Sequence, residues 1–275
     1  MRVSEPREIA SGLLLLTSGS GPVASNFYLV RSGTSWVLVD CGWGGSAEPA
    51  RTAVERVVGR GAKPDAILLT HIHPDHSGAA GALARVWEVP VYAHRAELPM
   101  AAGRYVPARS MPLDRWITTP LMWSLPARAR RRVEVAGDIS DLVRSLPRSG
   151  EVPGLAGWVA VPTPGHTAGH VSYWRAGDGV LITGDAVATV NLNSFRGLLL
   201  GLPDLSGPPW YTTWNMELAK DSVTRLAELG PRLLAPGHGQ PLAFGIVPRL
   251  RSLAAKEPRQ RTAFRRRAAG APGAV

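Results

Sequence analysis

One short segment restricts the fold of this chain more than any other. Residues 70–78, Thr-His-Ile-His-Pro-Asp-His-Ser-Gly, place three imidazoles and one carboxylate within six positions. The first of these imidazoles directly follows residues 66–70, whose apolar composition and length are typical of a buried strand. In an extended stretch, His71 and His73 point to the same side because side chains alternate with a period of two. The pattern therefore predicts a strand that delivers two imidazoles to one ion at the edge of a sheet.

The second half of this segment predicts a neighbouring ion. The chain turns there into a helix predicted from Ser77 to Trp87, and Asp75 and His76 can point to a second ion beside the first. Neutral imidazole and carboxylate suit zinc, iron, manganese or cobalt. The only cysteine is Cys41, which excludes an internal disulfide and a thiolate zinc cluster. The sequence thus predicts metal ligands that are nitrogen and oxygen atoms only.

Three further candidate ligands lie in glycine-containing turns, each after a predicted strand. They are His166 after residues 158–162, Asp185 after residues 179–183, and His238 after residues 232–235. His94 and His170 also stand near strand ends. We interpret these two as hydrogen-bonded loop residues and leave them out of the predicted ligand set.

The order of the remaining elements indicates the fold class. Further strands are predicted at residues 11–16, 26–31, 36–40 and 90–94, and helices at 47–60 and 215–229. The helix at 215–229 is amphipathic. Strands come first, and mixed strands and helices follow twice. This order predicts an α/β (α+β) chain that forms a sandwich of two sheets with helices outside and a site at one edge.

The length of 275 residues suits one large domain. Residues 95–155 interleave prolines with methionines and tryptophans, which indicates an inserted cap over the site. Residues 256–275 are rich in arginine and alanine, and we expect them to form a basic, disordered tail. The predicted organisation is a domain at 1–255, with the cap at about 95–155, followed by that tail.

The formal charge of +10 is concentrated in two arginine-rich stretches, at residues 128–132 and 256–267. We interpret it as a composition bias plus a solvated tail, and we do not expect nucleic-acid binding. A basic patch for an anionic substrate, a membrane surface or RNA is the alternative. The apolar run at residues 13–16 is too short to cross a membrane, and no signal peptide is visible. We therefore expect a cytoplasmic protein.

Five segments resemble, in order, the signature motifs of the metallo-β-lactamase superfamily, and the resemblance covers roughly residues 11–245. The matching positions are Asp40, the cluster from His71 to His76, His166, Asp185 and His238. The resemblance implies an αββα sandwich. It also implies that His71, His73 and His166 hold one metal, that Asp75, His76 and His238 hold the other, and that Asp185 bridges both. Asp40 would support a metal ligand through a hydrogen bond.

The resemblance further implies a hydrolase with two divalent metal ions, zinc by expectation, with iron or manganese as alternatives. A water that bridges two close cations loses its proton near neutral pH, and the resulting hydroxide attacks a carbonyl that one ion polarises. Asp75 and Asp185 are the expected catalytic residues, because Asp75 can also hand on a proton. The expected substrate is a small ester, lactone or thioester.

Some branches of the superfamily fit less well. Its β-lactamases usually lack the bridging aspartate, so Asp185 argues against that activity. Lactonases often carry a tyrosine three residues after it, where this chain has Ala188, and Tyr105 or Tyr211 would then have to donate to the oxyanion. An iron-dependent persulfide-type oxidoreductase, which uses fewer ligands, and a nucleic-acid phosphodiesterase are the alternatives.

The aromatic residues of the cap raise a separate question. Trp116, Met122 and Trp123 are too apolar for a solvated loop. Exposed aromatic clusters usually mark a binding or association surface. We predict that these three residues line the mouth of a hydrophobic pocket or form a homodimer contact.

Overall fold

The structure is a computed structural model that describes residues 1–103 and 109–256. Tyr105 lies outside the described residues, as does all of the predicted tail except Lys256. Among the described residues, no helix is long and apolar enough to cross a membrane.

The first half of the chain forms a seven-stranded sheet. Its strands, in the order in which they lie side by side, are β1 (Arg7–Ala10), β2 (Leu13–Ser18), β3 (Ser25–Ser32), β4 (Ser35–Val39), β5 (Ala66–Leu68), β6 (Val91–Ala93) and β7 (Val143–Ser145). Strands β1 to β4 pair antiparallel, and β4 to β7 pair parallel. Because parallel neighbours end at the same edge, the loops after β4, β5 and β6 lie together.

The second half forms a four-stranded sheet and a short hairpin. The sheet has the order β13 (Leu233–Pro236), β10 (Val180–Gly184), β9 (Val171–Arg175) and β8 (Trp158–Pro162), and the hairpin consists of β11 (Ala188–Val190) and β12 (Pro203–Ser206). Strands β10 and β13 are parallel, so the turns that follow them also lie at one edge.

Helices lie outside both sheets and over one end of the sandwich. They are α1 (Ala47–Val58), α2 (Pro74–Ser77), α3 (Ala80–Trp87), α4 (Leu98–Ala101), α5 (Thr119–Ser124), α6 (Ala127–Gly137), α7 (Phe195–Leu200), α8 (Met216–Glu228) and α9 (Ile246–Ala255). A π-helical turn (Asp114–Thr118) precedes α5, and 3-10 turns occupy Gly21–Val23, Gly44–Ser46 and Trp210–Thr212.

The alternation of side chains along the strands builds the layers. On β3, Tyr28 and Val30 face the second sheet, whereas Phe27 and Leu29 pack with α1 and α3 on the outer face. On β10, Leu181 packs outward with α8 and α9. The expected αββα sandwich is confirmed.

Residues 95–155 are less uniform than a single inserted cap. Val143–Ser145 form β7 of the first sheet, and Leu146, Val152 and Leu155 pack in the core between the sheets. Helices α4, α5 and α6 and the π-helical turn before α5 lie over the site, and we refer to them below as the cap helices.

Candidate metal centre

The seven predicted ligands converge at one edge of the sandwich. They arrive on turns that follow β5, β8, β10 and β13, and on helix α2, which begins immediately after His73 with Pro74 at its first position. Proline suits this position because the first helical N–H groups have no partner within the helix. The helix turn then carries Asp75 and His76 to the site. Within each of two groups, one ligand atom per residue lies within 4.8 Å of the others.

The first group contains His71, His73 and His166, and all three are buried. The Nδ1 atom of His73 lies 3.0 Å from Nε2 of His71 and 2.9 Å from Nε2 of His166. The rings meet edge to face, so the three nitrogen atoms point at a common centre. We call these residues the three-histidine group.

The second group contains Asp75, His76, Asp185 and His238, and we call it the aspartate–histidine group. The Nε2 atom of His238 lies 3.2 Å from Asp75 Oδ2 and 3.3 Å from Asp185 Oδ2. The Nε2 atom of His76 lies 3.2 Å from Asp185 Oδ1 and 3.5 Å from Asp75 Oδ2. Two carboxylates and two imidazoles therefore surround one point.

Asp185 touches both groups. Besides its contacts with His76 and His238, its Oδ2 atom lies 3.4 Å from Nε2 of His166. Gly237 gives it room, because a Cβ atom at that position would overlap Asp185 Oδ1. The turn after β13 therefore needs glycine where it passes the carboxylate.

Asp40 contacts one of the predicted ligands. Its Oδ1 accepts a hydrogen bond from the backbone N–H of Thr70 (2.8 Å), and its Oδ2 lies 2.9 Å from Nδ1 of His76. Asp40 adopts a left-handed backbone conformation, with φ of 59°, which is unusual for a residue other than glycine. The carboxylate thus orients the His76 ring with Nε2 toward the site.

Hydrogen bonds select the tautomer of two other rings. The Thr70 hydroxyl donates to Asp40 and so accepts from Nδ1 of His71, at 3.0 Å. The Thr213 hydroxyl donates to the carbonyl of Pro209 and so accepts from Nδ1 of His166, at 3.3 Å. In both rings the Nε2 lone pair is left for the centre of the site.

His238 follows the same rule, since its Nδ1 lies 2.9 Å from the carbonyl oxygen of Ala24 and donates to it. The two histidines left out of the predicted set behave as hydrogen-bonded residues. The backbone N–H of Asp185 donates to Nε2 of the buried His170, and the half-buried His94 accepts from the N–H of Ala96. His170 therefore holds the turn that carries Asp185.

Sequence reasoning missed Glu97, a fully buried carboxylate near the site. Its Oε2 accepts from the N–H of Ile72 (3.0 Å), which lies between His71 and His73, and its Oε1 accepts from the N–H of Gly169 (2.7 Å). Glu97 thus joins the two loops of the three-histidine group. An acidic residue shortly after β6, at the edge where parallel strands end, was the available signal.

The two groups differ in charge. Burial lowers the pKa of His71 and of His166 well below the ordinary value, so both rings are neutral. Burial also opposes protonation of His238, but the carboxylates of Asp185 and Asp75 together outweigh burial and raise the pKa of His238 to about 10. For Asp185, the imidazoles of His238 and His76 outweigh burial and hold its pKa well below the usual value.

These residues fit a metal centre on chemical grounds. His76 Nε2 and Asp185 Oδ1 are buried and form no hydrogen bond with any described residue, although they lie 3.2 Å apart. Buried polar atoms without partners are rare, and metal coordination is one way to satisfy them. Together with four rings whose Nε2 atoms point inward, this donor set suits divalent ions that prefer imidazole and carboxylate.

Comparisons with known proteins agree with this geometry. A family model described as the Metallo-beta-lactamase superfamily matches residues 20–238. The Bacillus subtilis (strain 168) protein named "Probable metallo-hydrolase YflN" is 39% identical over 210 residues, which cover 76% of each chain.

Two solved structures are also similar. The metallo-beta-lactamase family protein TTHA1429 from Thermus thermophilus is 27% identical, with a TM-score of 0.59, and the match covers 90% of this chain and 80% of that one. TTHA1623, solved in a di-iron-bound form, is also 27% identical, with a TM-score of 0.53 and coverage of 85% of this chain and 97% of that one.

Proposed function

The chain belongs to the metallo-β-lactamase superfamily and is a metal-dependent hydrolase, and we propose that it uses two divalent ions to cleave a small carboxylic ester, thioester or lactone. The observation that carries this proposal is the position of Asp185, whose two oxygens lie within 3.4 Å of imidazoles from both groups. A carboxylate in that position holds two cations close together and offsets part of their repulsion.

The proposed ligands follow from the atoms that face inward. One ion would be held by the three-histidine group through Nε2 of His71, Nδ1 of His73 and Nε2 of His166. The other would be held by the aspartate–histidine group through Asp75 and the Nε2 atoms of His76 and His238. Asp185 would contribute to both.

When bound, two such ions supply Lewis acidity, which polarises a carbonyl and lowers the pKa of water. The chain's own residues supply orientation and proton handling. Asp185 is almost fully buried, whereas the side chain of Asp75 is 17% exposed. We propose that Asp75, which reaches solvent, passes a proton between the site and bulk water. Asp185 would hold the two ions in position and take no part in proton transfer.

Zinc is the metal we propose, because nitrogen and oxygen ligands without thiolate suit it. Iron is the alternative, and the di-iron form of TTHA1623 favours it over manganese. The persulfide-type oxidoreductase is not proposed, because those enzymes use fewer ligands and here seven side chains converge. A phosphodiesterase is favoured only by the positive charge of arginines that lie outside the site.

The test combines metal analysis with a substrate panel. Protein produced without added metal is loaded with zinc, and metal content is measured with hydrolysis of aryl esters, thioesters and lactones. We expect about two ions per chain, with hydrolysis lost on chelation and restored by zinc. One ion per chain at saturation, or hydrolysis that survives chelation, would contradict the proposal.

A further inference from the structure

A cavity of about 330 Å³ lies between the metal centre and the cap helices. Its inner wall is formed by Ile72 and by the run from His166 to Ala168, which carry or flank the three-histidine group. Its outer wall comes from α4, the π-helical turn, α5 and α6. The volume is at the lower end of the range for small-molecule pockets. A group in this cavity would therefore adjoin the proposed first ion.

The outer wall is apolar and adaptable. Met100, Met111 and Met122 line it, which are three of the chain's five methionines, and Trp123 completes it. Methionine has three rotatable bonds and a polarisable sulfur, so methionine-rich walls accommodate apolar groups of varied shape. Trp123 and Trp116 are both largely exposed, at 76% and 80%, but only Trp123 lines the cavity.

The charged residues on the wall already have partners. The Arg109 guanidinium donates to the carbonyl of Ala96 at 2.9 Å, and that of Arg130 lies over the Trp123 ring at 5.7 Å from its centre. Asp114 accepts a hydrogen bond from the hydroxyl of Thr118 at 2.8 Å. Most of the surface that faces the cavity is nevertheless apolar, which suits an uncharged group better than a charged one.

One polar atom on the wall does lack a partner. The Oγ1 atom of Thr167 is buried, and no described residue forms a hydrogen bond with it. It follows His166 directly, at the metal end of the cavity. A buried hydroxyl without a partner costs free energy unless a ligand satisfies it.

We infer that this cavity is the subsite for an uncharged apolar arm of the substrate, a medium-length alkyl chain or an aryl group, and that Thr167 donates to an oxygen beside the scissile carbonyl. This inference rests on the proposed function, and it specifies the substrate class. An arm in the cavity points away from the aspartate–histidine group, so the scissile bond lies beside His166.

The first test uses a series of substrates. In whichever class the chain hydrolyses best, the arm is lengthened from methyl to propyl, pentyl and heptyl with one constant leaving group. We expect kcat/KM to rise about two- to fourfold per methylene until the cavity is filled. Met100→Ser and Met122→Ser should each flatten this rise, so that kcat/KM depends less steeply on arm length than in the parent.

Leu121→Ser is the matched control, because Leu121 is exposed, precedes Met122 on α5 and does not line the cavity. It should preserve the full dependence on arm length. Thr167→Val should lower kcat/KM by about five- to tenfold at every arm length, since it removes a hydrogen bond rather than apolar contact. No arm-length dependence in the parent, or equal flattening by Leu121→Ser, would overturn the inference.

The second test needs no turnover. Calorimetric titration of the zinc-loaded full chain with octanamide and with acetamide compares an apolar arm with a minimal one. We expect octanamide to bind at least about tenfold more tightly, and Met122→Ser but not Leu121→Ser to remove most of that preference. If no panel substrate is cleaved while this preference holds, the hydrolase proposal fails and the subsite stands. If substrates are cleaved and both amides bind equally, the subsite is wrong and the hydrolase proposal stands.

Discussion

The two halves of the candidate metal centre are built on different chemistry. The three-histidine group consists of neutral rings whose lone pairs are directed inward by hydroxyl groups, those of Thr70 and Thr213. The aspartate–histidine group pairs imidazoles with carboxylates, and the raised pKa of His238 shows that these pairs hold a proton in the metal-free chain. The first half is therefore ready to accept a cation, whereas the second half must exchange a proton for one.

A buried carboxylate lies behind each half, although Asp40 also reaches His71 of the three-histidine group through the Thr70 hydroxyl. Asp40 contacts the ring of His76 directly, whereas Glu97 contacts only the backbone on either side of the three-histidine loops. Support of a ligand ring acts on metal affinity, and support of a loop acts on its position and on stability. The aspartate–histidine group is therefore preorganised mainly by charge, and the three-histidine group by hydroxyl groups and by the position of its loops.

The largest expected effect comes from Asp185, which belongs to both halves. Asp185→Asn keeps the shape of the side chain and removes the charge that we propose holds the second ion. We expect that ion to bind much more weakly and hydrolysis to fall by at least about a hundredfold, the scale for loss of a principal electrostatic element. Metal content, circular dichroism and steady-state rates test this. Asp178→Asn, on an exposed turn where Asp178 pairs with Arg175, is the control. Two retained ions with near-normal turnover would mean that Asp185 is only a turn residue.

The difference in protonation predicts different pH dependence. Below pH 10, loading of the aspartate–histidine group must displace the proton held on His238, so the apparent affinity for the second ion should rise with pH from 7 to 10, by up to about tenfold per pH unit. The three-histidine group, with its neutral rings, should load without proton release. Calorimetry in two buffers with different ionisation enthalpies measures the released protons.

The pKa of His238 also predicts how the stability of the metal-free chain changes with pH. The pKa of His238 in the folded metal-free chain, about 10, lies above the unfolded value of 6.5. Its contribution to stability is therefore fully present below pH 6.5 and is lost as the pH rises through 10. If calorimetry showed equal proton release on loading of both ions, the proposed difference in protonation between the two groups would be wrong.

The smallest effects are expected from substitution of Asp40 and Glu97. The two substitutions should differ, since one acts mainly on metal affinity and the other mainly on stability. Asp40→Asn should weaken binding of the second ion by about tenfold or more, because it removes the charge behind the His76 ring. Glu97→Gln should lower the free energy of unfolding by about 1–3 kcal/mol, because an amide cannot accept from both N–H groups at once. Its effect on the second ion should be slight. Urea unfolding and metal titration of both variants test this, and a reversed pattern would show that the two carboxylates have exchanged roles.

Much of the framework follows from local patterns in the sequence. Short apolar runs next to turn residues predicted β3, β4 and β8 to within about a residue, because a strand in a sandwich buries at least one of its faces. The amphipathic pattern predicted α8 from Met216 to Glu228, one residue inside each predicted end. The His71 to His76 segment could be interpreted for the same reason, since its spacing alone decides which side chains share a side.

Prediction was weaker wherever packing between distant segments decides the structure. Strands β1 and β7 were not predicted, because their residues carry no strong alternation and become strands only by pairing with β2 and β6. Residues 95–155 were predicted as one cap, yet their last part completes the sandwich. Glu97 was missed because its two hydrogen-bond partners are distant along the chain, and nothing in the sequence around it marks those contacts.

The sequence by itself determined which donors this protein has, since residue type and spacing of two along a strand need no partner to be recognised. Only the tertiary structure decided how those donors are grouped. His166, Asp185 and His238 lie far apart along the chain, and their contacts depend on β8, β10 and β13 ending at the edge where β5 ends. The same packing placed three methionines over His166, because the cap helices fold back across that edge. Local periodicity does not predict such contacts between distant residues, because they form only when two sheets bury their apolar faces against each other.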